Sequence, residues 1–168
     1  ILSSPNGPVH LRLYIWTLTF GGRPNLPDEY RIQMTSVKPP LPMDSSSVTL
    51  LMGYEPSLQA FAGFDVSKHA AFTPGSPSVQ IDINVVRRAV GNGLTVERKG
   101  NQEVVCGIRG DFLLPYMLNS TPIHRYGQWP SVLPLLQKAA HSAVISPKEI
   151  EALPANRQCT IQEVSRLS

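Results

Sequence analysis

The residues best suited to chemistry are Arg31 and Gln33, which occupy alternate positions of the segment 30–34, YRIQM. Strict alternation predicts a β-strand whose three apolar residues face a core while Arg31 and Gln33 face outward. An Arg side chain can form two parallel hydrogen bonds to guanine, and a Gln side chain can do the same to adenine. The pattern therefore points to DNA contact, although an outward Arg and Gln are also typical of a plain solvated strand face.

The loop that leads into this strand, FGGRPNLPDE at 20–29, adds two more polar side chains, Arg23 and Asn25. Two Gly and two Pro surround them, which is typical of a defined turn rather than an open coil. We therefore treat the loop and the strand as one candidate DNA-contacting unit.

Composition narrows the class of protein. The chain has 168 residues, 42% of them hydrophobic and only 16% charged, enough for one domain with a core and unlike a disordered tail. Sixteen Pro and twelve Gly favour a β-rich protein. No apolar run approaches the roughly 18 residues of a membrane span, and no basic-then-apolar signal peptide opens the chain. With only two isolated cysteines, a reducing cytoplasm is the expected location. The net charge of +3 is too small for a polybasic arm, so DNA binding would need a local basic patch.

Cysteine and histidine spacing argues against a metal centre. Cys106 and Cys159 are isolated, which excludes a disulfide framework and a Cys-rich zinc site, and Cys106 alternates with apolar residues as a core residue would. The four His residues share no ligand spacing. We expect no cofactor and no metal for this chain.

The chain is predicted to be mainly β with short helices, an α+β protein. Seven strands are predicted, at 9–20, 29–37, 48–54, 60–66, 78–83, 94–99 and 102–109. Helices are predicted at 84–91 with Asn84 as N-cap, at 111–119, at 132–142 and at 146–153. Seven strands with mixed spacing indicate an antiparallel barrel or sandwich.

One alternative chemistry is a nuclease centre made of Asp82, Glu97 and Lys99. An Asp followed some fifteen residues later by Glu-x-Lys on a strand is typical of magnesium-dependent nucleases, in which the carboxylates hold the ion and the Lys positions the attacking water. The same spacing also arises on any exposed strand as a solvated charge pair.

The order of segments over residues 10–119 resembles the DNA-recognition domain of bacterial restriction endonucleases. The resemblance rests on LRLYIWTLTFGG…DEYRIQ, LLMGYEP…FAGFD…KH and SPSVQI, followed by a final strand into DFLLPYMLN. Several such domains have the DNA-binding pseudobarrel fold shared with plant transcription factors. The resemblance implies a seven-stranded open pseudobarrel at 1–120 and a helical extension or linker at 121–168.

In that fold two loops grip the major groove, one between the first two strands and one between the fourth and fifth. Here these loops are 20–31 and 66–78. The resemblance implies DNA contacts by the following residues: Arg23, Asn25, Arg31, Gln33, Lys68, His69, Thr73, Ser76 and Ser78.

The tail at 145–168 resembles the lead-in to a nuclease domain of the His-Asn-His kind, whose catalytic residues and divalent metal would lie beyond Ser168. We therefore expect sequence-specific recognition of double-stranded DNA by the targeting domain of a restriction endonuclease, in a chain with no convincing catalytic centre of its own. A palindromic target would imply a homodimer. An interaction domain of a defence complex, without DNA contact, is the remaining hypothesis.

Overall fold

The computed structural model describes residues 2–4, 7–73, 75, 77–126 and 148. Ten strands lie in this part of the chain: β1 Leu2–Ser4, β2 Gly7–Val9, β3 Leu11–Thr17, β4 Thr19–Phe20, β5 Glu29–Gln33, β6 Val48–Glu55, β7 Ala60–Phe64, β8 Ser78–Asp82, β9 Leu94–Arg98 and β10 Val104–Arg109. Its helices are α1 Val66–His69, α2 Ile83–Asn92 and α3 Leu113–Tyr126, with a 3-10 turn at Gly110–Phe112 before α3. None of these helices is long and apolar enough to cross a membrane.

The strands form one sheet of five and one of three, besides a small β1–β2 pair. The larger sheet has the order β3-β6-β7-β10-β9, and the smaller has the order β4-β5-β8. Among the described strands, β3 and β6 pair in parallel and the other neighbours are antiparallel. The α+β prediction, mainly β with a few short helices, is confirmed. The finer prediction of a single seven-stranded open pseudobarrel is not confirmed, because the strands divide between two sheets.

Each of the seven predicted strands has a counterpart, and the largest change falls in the first one. The predicted strand 9–20 is interrupted at Leu18, where the chain leaves the larger sheet and enters the smaller. Leu18 is 3% exposed, and its N–H donates to the carbonyl of Tyr54 at 2.7 Å. The break therefore turns one extended segment into β3 and β4, which join the two sheets.

Two other predictions are corrected at helix ends. The N-cap of α2 is Asp82, whose carboxylate accepts from the N–H of Asn84 at 2.8 Å, so Asn84 itself is not the cap. The predicted strand 60–66 ends at Phe64, because Asp65 caps the short helix α1 inside the predicted loop. Both carboxylates satisfy amide N–H groups that a helix start leaves open.

Two apolar clusters form the core. The first lies between the sheets and includes Ile32, Leu51 and Ile81, each no more than 2% exposed. The second lies between the larger sheet and α3, where Cys106 and Tyr116 are fully buried. Cys106 is thus the core residue that its spacing predicts, and burial raises the pKa of its thiol.

Helix α3 is fixed to the larger sheet by a buried hydrogen-bonded chain. His124 Nδ1 lies 2.7 Å from the carbonyl of Val104 and donates to it, so His124 Nε2 accepts from the Tyr116 hydroxyl at 2.8 Å. Burial lowers the pKa of His124 and thus favours this neutral imidazole. The helix runs past residue 120, the predicted domain boundary. The predicted helices at 132–142 and 146–153 fall almost entirely outside the described residues.

Candidate nucleic-acid interface

The centre of the candidate interface is β5, the middle strand of the three-stranded sheet. The predicted alternation is confirmed: Ile32 is 0% exposed and Met34 is 2% exposed on one side, while Gln33 is exposed and Arg31 half-buried on the other. Packing of the apolar side against the first cluster therefore fixes the direction in which the two polar side chains point.

Strand β8 adds polar side chains to the same face. Arg31 lies opposite Gln80, and Gln33 lies opposite Ser78. Residues directly opposite in an antiparallel pair share a face. On the other side of β5, Thr19 of β4 lies opposite Arg31. We call Thr19, Arg31, Gln33, Ser78 and Gln80 the polar sheet face.

The size of this face suits a DNA groove. β5 and β8 have five residues each, so they are about 17 Å long at 3.4 Å per residue, and three strands span about 10 Å. The major groove of B-DNA is about 12 Å wide and admits a two-stranded ribbon. The β5–β8 pair is therefore small enough to enter the groove with its polar side first.

Arg31 and Gln80 on this face differ in their hydrogen bonding within the protein. The Nε atom of Arg31 is buried and has no hydrogen-bond partner among the described residues. Gln80 Nε2 donates to the Ser78 hydroxyl at 3.0 Å, which holds the carboxamide in one orientation. Gln80 and Thr19 were missed as site residues by sequence reasoning. The alternation of SVQIDI predicts that Gln80 faces outward, but its pairing with Arg31 joins residues far apart in sequence and is not contained in any local pattern.

The first loop, 20–31, closes on Glu29. The N–H of Gly21 donates to the Glu29 carbonyl at 2.7 Å, and the Arg23 guanidinium forms a two-fold ion pair with the Glu29 carboxylate, with Nε at 2.8 Å from Oε1. Arg23 and Asn25 are both exposed. The charge of Arg23 is already paired with Glu29, and Asn25 lies at the loop tip. The loop lies at the Glu29–Asp82 end of the β5–β8 pair.

The second loop, 66–78, reaches the other end of that pair, where Gln33 meets Ser78 and the N–H of Met34 donates to the Pro77 carbonyl at 2.8 Å. Thr73 is exposed. Ser76 lies outside the described residues. The two predicted loops therefore lie at opposite ends of the same polar strand pair.

Lys68 and His69, also predicted to contact DNA, are held by the segment that joins β9 and β10. Lys68 Nζ donates to the carbonyl of Asn101 at 3.2 Å, and His69 Nε2 lies 2.7 Å from Glu103 Oε1. The structure thus brings Arg31, Gln33 and Ser78 together on one face, while Lys68 and His69 point to the hairpin.

Glu103 is a buried carboxylate that connects three elements. Its side chain is 0% exposed, and it accepts from His69 and from Lys99 Nζ at 2.8 Å. Lys99 Nζ also donates to the carbonyl of Gln80 at 3.0 Å. Burial, the largest single influence, raises the pKa of Glu103, but the hydrogen bonds and charges of His69 and Lys99 outweigh it and hold the pKa at about 2. Lys99, which directly follows β9, therefore links the buried Glu103 to β8 of the other sheet.

The three residues of the nuclease hypothesis line one cleft of about 460 Å³, between the first loop, β8 and the β9–β10 hairpin. Each has a protein partner, however. Asp82 caps α2, Glu97 pairs with Arg88 at 2.5 Å, and Lys99 pairs with Glu103. The described residues contain no group of three His, Cys, Asp or Glu side chains arranged to hold a metal ion.

Comparison with known protein families matches residues 9–117 to the family described as methylase-associated X1. The match covers β3 to β10 and the beginning of α3, and so includes the polar sheet face and both loops. This family is associated with restriction–modification systems. No curated protein and no solved structure matches the chain significantly.

Proposed function

We propose that this chain, which belongs to the methylase-associated X1 family, recognises a specific double-stranded DNA sequence within a restriction–modification system. Its role would be that of the targeting domain of a restriction endonuclease. The observation that carries the proposal is the polar sheet face, on which Arg31, Gln33 and Ser78 lie between two loops.

In the proposed complex the β5–β8 pair enters the major groove. Arg31 donates two hydrogen bonds to guanine O6 and N7, and Gln33 contacts a base edge near the end of β5. The loops at the two ends of the pair lie over the sugar-phosphate backbones. Asn25 and Thr73 are exposed on these loops and suited to phosphate contacts.

The charges of the interface imply a moderate dependence on salt. The ion pairs Arg23–Glu29 and Arg87–Asp28 already neutralise two of its arginines. Asn25 and Thr73 are neutral and release few counterions, so the charge brought to the DNA is mainly that of Arg31, and the slope of log K against log salt is expected to be about −1. Sequence preference would then contribute a large share of the total affinity.

Selection from random duplexes at moderate salt tests the proposal. We expect one enriched sequence that contains a guanine contacted by Arg31. A pool without enrichment, together with an affinity that does not respond to salt, contradicts the proposal. A symmetric enriched sequence would further indicate that two copies of the chain bind together.

A second candidate function, magnesium-dependent DNA cleavage, is favoured by one observation: Asp82, Glu97 and Lys99 line the same cleft. Cleavage by this chain alone in the presence of magnesium, lost in Glu97→Ala, would support it. Binding without cleavage would leave recognition as the function of this chain and assign any cleavage to a separate nuclease domain.

A further inference from the structure

Arg31 and Gln80 are direct cross-strand neighbours on the polar sheet face. The Cβ atoms of such a pair are about 4.5–5.5 Å apart. Successive base pairs in B-DNA rise by about 3.4 Å. Two long side chains that leave the sheet at this separation are therefore close enough to reach neighbouring base pairs.

The Gln80 side chain is held in position by a hydrogen bond, and no such bond is seen for the Gln33 side chain within the described residues. Gln80 is half-buried and its carboxamide is held by Ser78, whereas Gln33 is exposed and is the last residue of β5. A side chain that is already held loses less conformational entropy when it binds. The bond to Ser78 uses one of the two hydrogens on Nε2, so Gln80 keeps one donor and its Oε1 acceptor for a base edge.

A Gln side chain with one donor and one acceptor free matches adenine, which presents N7 as acceptor and N6–H as donor in the major groove. We infer that Gln80 is a specificity-determining residue that recognises an adenine next to the guanine of Arg31, with Ser78 as its positioning residue. This inference rests on the proposed DNA recognition and adds a residue, a base and a neighbour relation to it.

Sensitivity to DNA methylation follows from the same contact. A methyl group on adenine N6 takes the place of the hydrogen that Gln80 Oε1 accepts, and it fills the space between the two groups. Guanine O6 and N7, the acceptors for Arg31, are unchanged. The chain therefore binds its target less tightly when this adenine is methylated at N6, the kind of discrimination that a restriction–modification system uses.

Selection from random duplexes with the wild type, Gln80→Ala and Gln59→Ala tests the inference. Gln59 is an exposed glutamine in the β6–β7 turn, far in sequence from the face, and serves as the matched control. We expect the wild type and Gln59→Ala to enrich the same sequence. Gln80→Ala should keep the guanine preference and lose discrimination for the adjacent adenine by about 5- to 150-fold, the range that one bidentate contact supplies.

Gln80→Glu separates base recognition from a structural role. A carboxylate cannot donate to adenine N7 but accepts from cytosine N4, so the preference at this one position should change from adenine to cytosine. A residue that only supports the sheet would not produce a new preference. Thermal unfolding of each variant verifies that it is folded.

The outcomes distinguish a failure of the proposed DNA recognition from a failure of the inference about Gln80. Failure of the wild type to enrich any sequence overturns the proposed function together with this inference. Enrichment by the wild type with an unchanged adenine preference in Gln80→Ala overturns the inference alone. Equal wild-type affinity for the target with and without N6-methyladenine at that position also overturns it.

Discussion

Glu103 and His69 form a hydrogen-bonded pair 2.7 Å long between the β9–β10 hairpin and the helix at the start of the second loop. The carboxylate is fully buried, and the imidazole is 22% exposed. Because the partners are 34 residues apart in sequence, the pair fixes the loop to a distant hairpin. The position of the second loop therefore depends on the charge of Glu103.

Acid should weaken the fold through this carboxylate. The pKa of Glu103 is about 2 in the folded chain and 4.5 for an ordinary Glu, so the unfolded chain binds the proton more tightly. The resulting stability, about 3 kcal/mol, is fully present above pH 4.5 and is lost as the pH falls toward 2. Denaturant unfolding of the wild type and of Glu103→Gln over this pH range measures it. The variant should be less stable at neutral pH and should lack this part of the acid loss; parallel curves for the two proteins would contradict the prediction.

The same substitution should have opposite effects at two glycines. A Cβ at Gly63 of β7 would lie 2.9 Å from Tyr116 Cε2 and closer still to the hydroxyl, so Gly63→Ala displaces the ring that carries the bond to His124. At Gly91 of α2 a Cβ meets no atom within 4 Å. We expect Gly63→Ala to lose about 1–3 kcal/mol of unfolding free energy and Gly91→Ala to gain up to about 1 kcal/mol. Denaturant titration of both variants against the wild type gives the two signs, and a tolerated Gly63→Ala would show that the ring can move at little cost.

Local patterns predicted the strands well and the sheets poorly. Alternation in β5 correctly assigns Ile32 to the core and Gln33 to the surface, because side-chain direction in a strand depends only on neighbours in sequence. The hairpin of β9 and β10 was predicted for a similar reason. The parallel pairing of β3 with β6, and the crossing between sheets at Leu18, depend on residues more than 30 positions away. No local pattern contains that information.

The candidate site divides in the same way. The outward positions of Arg31 and Ser78 were predictable, but their common face with Gln80 comes from the register between β5 and β8, which lie more than 40 residues apart. Likewise, the sequence around His69 predicts only a loop. Its buried partner Glu103 lies 34 residues away and is brought to it by the fold. DNA contacts by the predicted residues stay a prediction.

Arg31 should contribute to affinity at one base position. Arg31→Ala is expected to cost about 1–3 kcal/mol on the selected duplex and much less on a duplex in which the contacted guanine is already replaced. Arg31→Lys should restore little of the preference, because an ammonium group cannot form the planar two-fold contact. Gel-shift titrations with the selected duplex and its single-base variants measure this coupling. An equal loss on every duplex would make Arg31 a phosphate contact instead.

Glu29→Gln should increase affinity for DNA without changing the preferred sequence. Glu29 is 16% exposed and pairs with Arg23, whose side chain is 55% exposed at the edge of the proposed interface. Loss of the carboxylate charge leaves the guanidinium free to neutralise a phosphate, because an amide oxygen competes weakly for it. One added phosphate contact makes the slope of log K against log salt more negative by about 0.9. The double variant Arg23→Ala/Glu29→Gln is the control and should lose the added slope. If Glu29→Gln alone leaves both affinity and slope unchanged, Arg23 does not approach the DNA backbone, and the first loop acts only as a support for β5.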